Sequence, residues 1–340
     1  MLDEIHRESL HQLLTNIHKN FTFSPIPGLV LSPGHVLEIQ GASASGKTHL
    51  IYALLMACIM PVTYGDPPIA LGGWSKAAII FDTDHSFDLK RFKELLTIRL
   101  ALLLQSDHSS QSLQPLIDRC LALVHILRPT SSVQLASGLL HLPSYHTTHL
   151  PNDEIGIVAI DSISAFYWQD RFHVEQIRLA GKQEQATHRH PLRHVLVALQ
   201  RFRDSHKPLM VLANWGLTPA STTSHSNSPS NAAFYKQHLH PFPSPFAENG
   251  DPVGATIADL PDERLLPVTH HITLLSTPAL QSRQGSEQVL ASSEDEDDLG
   301  TRERGRVVRG SIRIPRVPEI THFDFFIEGD GLSFRGSDCV

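Results

Sequence analysis

Residues 41–48 read GASASGKT, the order of residue types in a loop built to hold phosphate. Gly41, Gly46, Lys47 and Thr48 fall at the fixed positions of G-x-x-x-x-G-K-[ST]. The small residues between them, Ala42, Ser43, Ala44 and Ser45, leave backbone N–H groups free to face an anion at the start of the next helix. Lys47 would reach the β and γ phosphates of a nucleotide, and the Thr48 hydroxyl would ligate magnesium. Such a site needs an acidic residue closing an apolar strand, and IGIVAID supplies it with Asp161, read as the magnesium carboxylate. A third stretch, FDTDHSFD at 81–88, places Asp82 and Asp84 after another apolar run. One of them could orient or deprotonate an attacking water, and both also suit the turn and N-cap of a helix starting near Ser86.

These groups need strands to carry them and helices to cover the strands. From Gly34 onward short apolar runs alternate with helical patterns: HVLEIQ then 47–60, KAAIIFD then 86–105, CLALVHIL then 131–142, IGIVAID then 173–206, and finally PLMVLAN. That alternation predicts an α/β fold with a mainly parallel sheet and helices on both faces. Pro191 is expected to split the last helical stretch. THHITLLS, RVVRGSIRIP and HFDFFIEGDGLSF read as later strands, with Gly329 and Gly331 suiting a turn between the last two. Leu10, Leu13, Leu14 and Ile17 recur at helical spacing, so residues 1–23 are expected to hold a short amphipathic helix and linker ahead of a core over 24–340. Two insertions, at about 217–262 and 281–305, have the polar, aperiodic composition of mobile loops, the second carrying the acidic-to-basic run SSEDEDDLGTRERGR at 292–306.

Bulk composition bounds the reading. A chain of 340 residues, 41% hydrophobic, can bury a sizeable core. A formal net charge of -7 supplies no global basic field for non-specific nucleic-acid binding, so any DNA contact must be local or shared with a partner. The 22 histidines lack the paired spacing of a zinc site and read as solvated. Cys58, Cys120 and Cys339 are odd in number and widely spaced, which suits a reducing, intracellular compartment. The N-terminus lacks the apolar block of a signal peptide, and LIYALLMACIMPV is too short to span a bilayer, so no membrane role is expected.

DSISAFYWQDR, GHVLEIQGASASGKT, IIFDTDHSFDLKRF and the closing FFIEGDGLSF, taken in this order along the chain, resemble the RecA-type recombinases, in particular their eukaryotic paralogues. The resemblance covers roughly residues 24–330 outside the insertions. It implies a RecA-like core, ATP and magnesium as ligands, and a nuclear role in homologous recombination. By the same resemblance Asp161 is the magnesium carboxylate, Asp84 the catalytic acid, and Arg91 the cation that lies against adenine. Two DNA-facing loops would correspond to the region after Tyr167 and to the segment from Gly216 to about Asp262. The implied partners are other recombinase paralogues, with the D-type paralogue as direct neighbour, and single-stranded or branched DNA reached through the complex. The N-terminal helix and the aromatic segment 166–172 are the candidate contact surfaces.

The chain departs from the family pattern at two places. Asp84 stands where the family has Glu, one methylene longer, which would withdraw a water-orienting oxygen by about 1 Å. Trp215 stands where a Gln senses the γ-phosphate, and an indole accepts no hydrogen bond. The helical N-terminal domain of the strand-exchange proteins is also not seen. These departures favour an ATP-holding subunit that assists the strand-exchange filament. The alternative is a DNA-stimulated ATPase active in strand exchange itself. A P-loop kinase ranks last, because the arginines of RERGRVVRGSIRIPR lie in strand-like sequence rather than in a lid.

Overall fold

IGIVAID and AAIIFD are apolar on both sides because each strand is buried on both faces, as central strands of a covered parallel sheet must be. The computed structural model describes residues 23–104, 110–179, 190–218, 234–242, 246, 266–276, 306–329 and 331–336. The helix expected over 2–19, the insertion at 281–305 and most of the 217–262 stretch lie outside the described residues.

The described chain enters through a hairpin, β1 (Phe23–Ile26) and β2 (Leu29–Leu31), then runs along β3 (Val36–Gly41) and through the glycine-bearing loop into α1 (Lys47–Ile59). A small hairpin, β4 (Thr63–Tyr64) and β5 (Ile69–Ala70), precedes β6 (Ala77–Asp82). Helices α2 (Leu89–Leu104) and α3 (Ser110–Ala122) lead to β7 (Val124–Leu127), and α4 (Ser132–His149) leads to β8 (Ile155–Asp161). Then α5 (Tyr167–Leu179) and α6 (Pro191–His206) lead to β9 (Leu209–Trp215). Last come β10 (His270–Ser276), β11 (Arg306–Arg313), β12 (Thr321–Ile327) and β13 (Leu332–Gly336).

Nine of these strands form one sheet in the order β13-β12-β11-β10-β3-β9-β8-β6-β7. From β10 to β7 every pairing is parallel, and β10 through β13 pair antiparallel, so the α/β class with antiparallel C-terminal strands holds. One face packs Leu37, Ile39, Ile80 and Ile157 against α1, α2 and α3; the other packs Val36, Phe81, Val158 and Leu212 against α4 and α6. Each fully buried Leu, Ile or Phe contributes roughly 1.5–3 kcal/mol of transfer free energy.

Several boundaries differ from the sequence reading. CLALVHIL is not one strand: helix α3 runs to Ala122, because Leu113, Leu116, Ile117 and Cys120 recur at helical spacing and are all buried, leaving only Val124–Leu127 extended. Helix α4 passes the expected end at 142 and continues to His149, with Pro143 on its exposed side. Of the region after Tyr167 expected to be a loop, the described residues to Leu179 form the helix α5. Helix α6 starts at Pro191 with His190 as N-cap, the split that proline was expected to impose. Within the insertion read as mobile, residues 234–242 pack on the sheet, with Leu239 and Phe242 buried against the α4 and α6 face. Two histidines read as solvated, His270 and His271, are buried in β10, and burial drives their pKa values down to about 4 and about 3.

Candidate functional site

Parallel strands that share a direction share an end, and here the C-terminal ends of β3, β6, β8 and β9 bring Gly41, Asp82, Asp161 and Trp215 to one edge of the sheet. The registers are direct: Gly41 pairs with Trp215, and Asp82 pairs with Asp161. That edge is where open α/β sheets place their ligands.

The loop after Gly41 makes its turn through two left-handed residues, Ala44 at φ 56° and Gly46 at φ 91°. At Gly46 a side chain would be strained, which accounts for the glycine. The Ser45 amide donates to the Ala42 carbonyl at 3.2 Å and closes the loop. Helix α1 then begins with no side-chain cap and no acidic residue in its first turn, so its N-terminal amides keep their capacity for an anion. The Ser45 hydroxyl is buried with no partner, a polar group enclosed by the loop and left to bond something else.

Lys47 curls back over this loop, and its ammonium donates to the carbonyls of Gly41 at 3.0 Å and Ala42 at 2.8 Å. Burial pulls its pKa below the ordinary range, with the Asp161 and Asp84 carboxylates opposing that shift. Thr48 donates its hydroxyl to Asp161 Oδ2 at 2.6 Å. The Asp161 side chain is buried, and desolvation pushes its pKa up to about 6 even though the Thr48 hydrogen bond acts against the rise. The peptide between Asp161 and Ser162 is cis.

The turn after β6 separates the two aspartates that the sequence left as alternatives. Asp82 is buried and committed: it pairs with Arg128 Nε at 3.0 Å and accepts from the Phe87 amide at 3.3 Å. Asp84 is exposed, close enough to Lys47 and Asp161 to act on both electrostatically, and accepts from the Ser86 amide at 3.3 Å. Neither caps the next helix. Asp88 does, accepting from the amides of Lys90 at 2.8 Å and Arg91 at 3.2 Å ahead of α2. Sequence reasoning missed Ser86, whose hydroxyl lies 3.5 Å from both Thr48 Oγ1 and Asp161 Oδ2. Its signal in the sequence is a hydroxyl two residues after Asp84, in the same turn as Thr83.

Arg91 extends to the turn between β12 and β13, donating to the carbonyls of Glu328 at 2.7 Å and Gly329 at 2.6 Å. It acts electrostatically on His49 in the first turn of α1, so it borders the phosphate loop from the side of the C-terminal strands. Trp215 is half-buried and gives its amide to the Ser164 hydroxyl at 3.0 Å. Beside it, Asn214 donates to Glu38 Oε1 at 2.8 Å and to Gln237 Oε1 at 3.1 Å, and Gln237 donates to the same Glu38 oxygen at 2.9 Å. This buried cluster fastens residues 234–242 to β3 and β9, a link no sequence pattern announced.

The donor set fits a magnesium-bound nucleoside triphosphate: a ring of amides, an orphaned hydroxyl and an ammonium for phosphate oxygens, with a hydroxyl and a carboxylate in contact for a hard cation. Gly41 to Thr48 would hold the phosphates, and Thr48 with Asp161 the ion. Among the described residues, no group of three or more His, Cys, Asp or Glu is placed to hold a metal ion by itself, so the cation would need hydroxyl and phosphate oxygens to complete its shell.

No protein-family model matches the chain. Among curated proteins, it is 31% identical over 165 residues to the DNA repair protein XRCC2 of Mus musculus, a match covering 48% of this chain and 50% of the relative. It is 30% identical over 190 residues to the DNA repair protein XRCC2 homolog of Arabidopsis thaliana, covering 48% and 50%. With the DNA repair protein rhp57 of Schizosaccharomyces pombe the identity is 27% over 183 residues, covering 53% and 48%. The chain thus spans about half the length of the curated relatives it matches. By these matches the chain is similar, over about half its length, to proteins named as DNA repair proteins, in line with the resemblance its motifs carry.

Proposed function

We propose that the chain is an ATP-binding subunit of a recombinase-paralogue complex, acting in the nucleus in homologous recombination repair of DNA double-strand breaks. It assists assembly or stability of the strand-exchange filament, with the D-type paralogue as its direct neighbour. Single-stranded or branched DNA is engaged through the complex.

The observation that carries the reading is the convergence of Lys47, Thr48 and Asp161 at the end of the sheet, with Thr48 bonded directly to Asp161. ATP and magnesium are the ligands that suit this donor set. Two features favour holding over turnover. Asp84 is short and its carboxylate accepts from the Ser86 amide, and Trp215 offers no acceptor where a sensor would be needed. ATP then selects the geometry of the assembled subunit, while the contacts that hold the partner lie outside the Gly41–Thr48 loop. The names of the relatives support the repair role.

The test is assembly. The full chain and its Lys47→Ala variant are each mixed with the D-type paralogue and followed by analytical ultracentrifugation with and without magnesium ATP. The expected result is a complex for both, retained within about threefold in affinity by the variant. No complex with the unmodified chain would overturn the subunit reading.

A further inference from the structure

The turn 83–87 is held more firmly than an exposed connection requires. Thr83 donates its amide to the Asp161 carbonyl at 2.9 Å and its hydroxyl to the Ser162 carbonyl at 2.6 Å, so the turn is stitched to the end of β8. His85 takes the left-handed conformation at φ 59°, which reverses the chain. Phe87 is buried in an aromatic cluster, 5.0 Å from the Tyr52 ring and 5.5 Å from that of Phe92. Between these anchors Ser86 is exposed, and its amide is bound by Asp84.

The hydroxyl this arrangement presents stands 3.5 Å from Thr48 Oγ1 and 3.5 Å from Asp161 Oδ2, while those two oxygens are 2.6 Å apart. An O–H···O hydrogen bond is best at about 2.7–2.8 Å, so neither Ser86 contact is an optimal one. Two oxygens on adjacent corners of a magnesium octahedron, each about 2.1 Å from the ion, lie about 3 Å apart. The triangle of Thr48, Asp161 and Ser86, with sides of 2.6, 3.5 and 3.5 Å, brackets that edge length, so shifts of about 0.5 Å would make it one face of such an octahedron.

We infer that Ser86 is the third protein oxygen of the cation cradle formed with Thr48 and Asp161, a positioning residue that fixes the ion through its hydroxyl, directly or through one water. This rests on the proposed ATP-binding reading. In a site whose catalytic acid is short, a third oxygen tightens the grip on the ion without adding a base for hydrolysis.

The test uses manganese in place of magnesium, with electron paramagnetic resonance counting bound ion in the presence of ATP, and a fluorescent ATP analogue titrated in EDTA. Ser86→Ala is expected to weaken manganese binding about tenfold while leaving metal-free nucleotide affinity within about twofold. Ser86→Thr, which keeps the hydroxyl, restores it. Unchanged manganese affinity in Ser86→Ala, with Lys47-dependent nucleotide binding intact, overturns the role of Ser86 alone. A native chain that binds neither nucleotide nor manganese overturns the ATP-binding reading and this inference together.

Discussion

Asp161 is a buried carboxyl whose charge burdens the folded chain. Its carboxyl is buried, its folded-state pKa is pushed up to about 6, and it is hydrogen bonded to Thr48. A carboxyl raised in this way favours folding only while it is protonated; that contribution is lost as pH rises from the unfolded value of about 4 through about 6, so at pH 7.5 the charged group costs about 3 kcal/mol. Asp161→Asn keeps an acceptor for the Thr48 hydroxyl and removes the buried charge. Thermal unfolding of the nucleotide-free chain at pH 7.5 is expected to move up by roughly 4 °C in this variant, while magnesium-dependent nucleotide binding is lost. An unchanged or lower midpoint would contradict the burden assigned to Asp161. Gly41, Lys47, Thr48 and Asp161 were legible in the sequence because each has a fixed place in a local pattern, loop or strand end. Ser86, Arg128 and Gln237 were not, because their partners lie 38 to 199 residues away in the chain and only the sheet brings them together.

Among the elements, residues 234–242 join two parts of the sheet. Gln237 donates to Glu38 on β3 and accepts from Asn214 on β9, while Glu38 is buried and burial raises its pKa. The strands so joined end at Gly41 and Trp215, so the fastening lies next to the phosphate loop. Gln237→Ala removes a donor from a buried carboxylate, and the expected loss is about 1–3 kcal/mol, seen as a lower urea midpoint with an unchanged slope. Hydrogen exchange would rise first in 234–242. Equal stability and equal exchange would show that the cluster does not fasten this segment. Composition pointed the wrong way here, since the stretch is polar and aperiodic, yet it buries Leu239 and Phe242 beside the Gln237 cluster. Helix α3 was missed for a related reason. LALVHIL is apolar enough for a strand, and the helical spacing of Leu113 to Cys120 starts upstream of that run.

At the scale of the molecule, four parallel strands deliver Gly41, Asp82, Asp161 and Trp215 to one edge, and the antiparallel strands bring the β12–β13 turn to Arg91. The alternation of strands and helices made this architecture readable, because each parallel pair requires a crossover to cover it. What alternation could not give was strand order, and with it the adjacency of β3 and β9 that sets Trp215 beside Gly41. In the proposed reading, this edge holds ATP without turning it over at speed. It is tested most directly by incubating the purified chain and its Lys47→Ala variant with radiolabelled ATP, magnesium and single-stranded DNA, then separating bound nucleotide and identifying it. The account predicts intact ATP bound near one per chain, lost in the variant, with turnover well below the about 1 s⁻¹ that marks the low end of ordinary enzymes. Rapid DNA-stimulated release of ADP would contradict it and make the chain a motor in which Trp215 has not silenced the site.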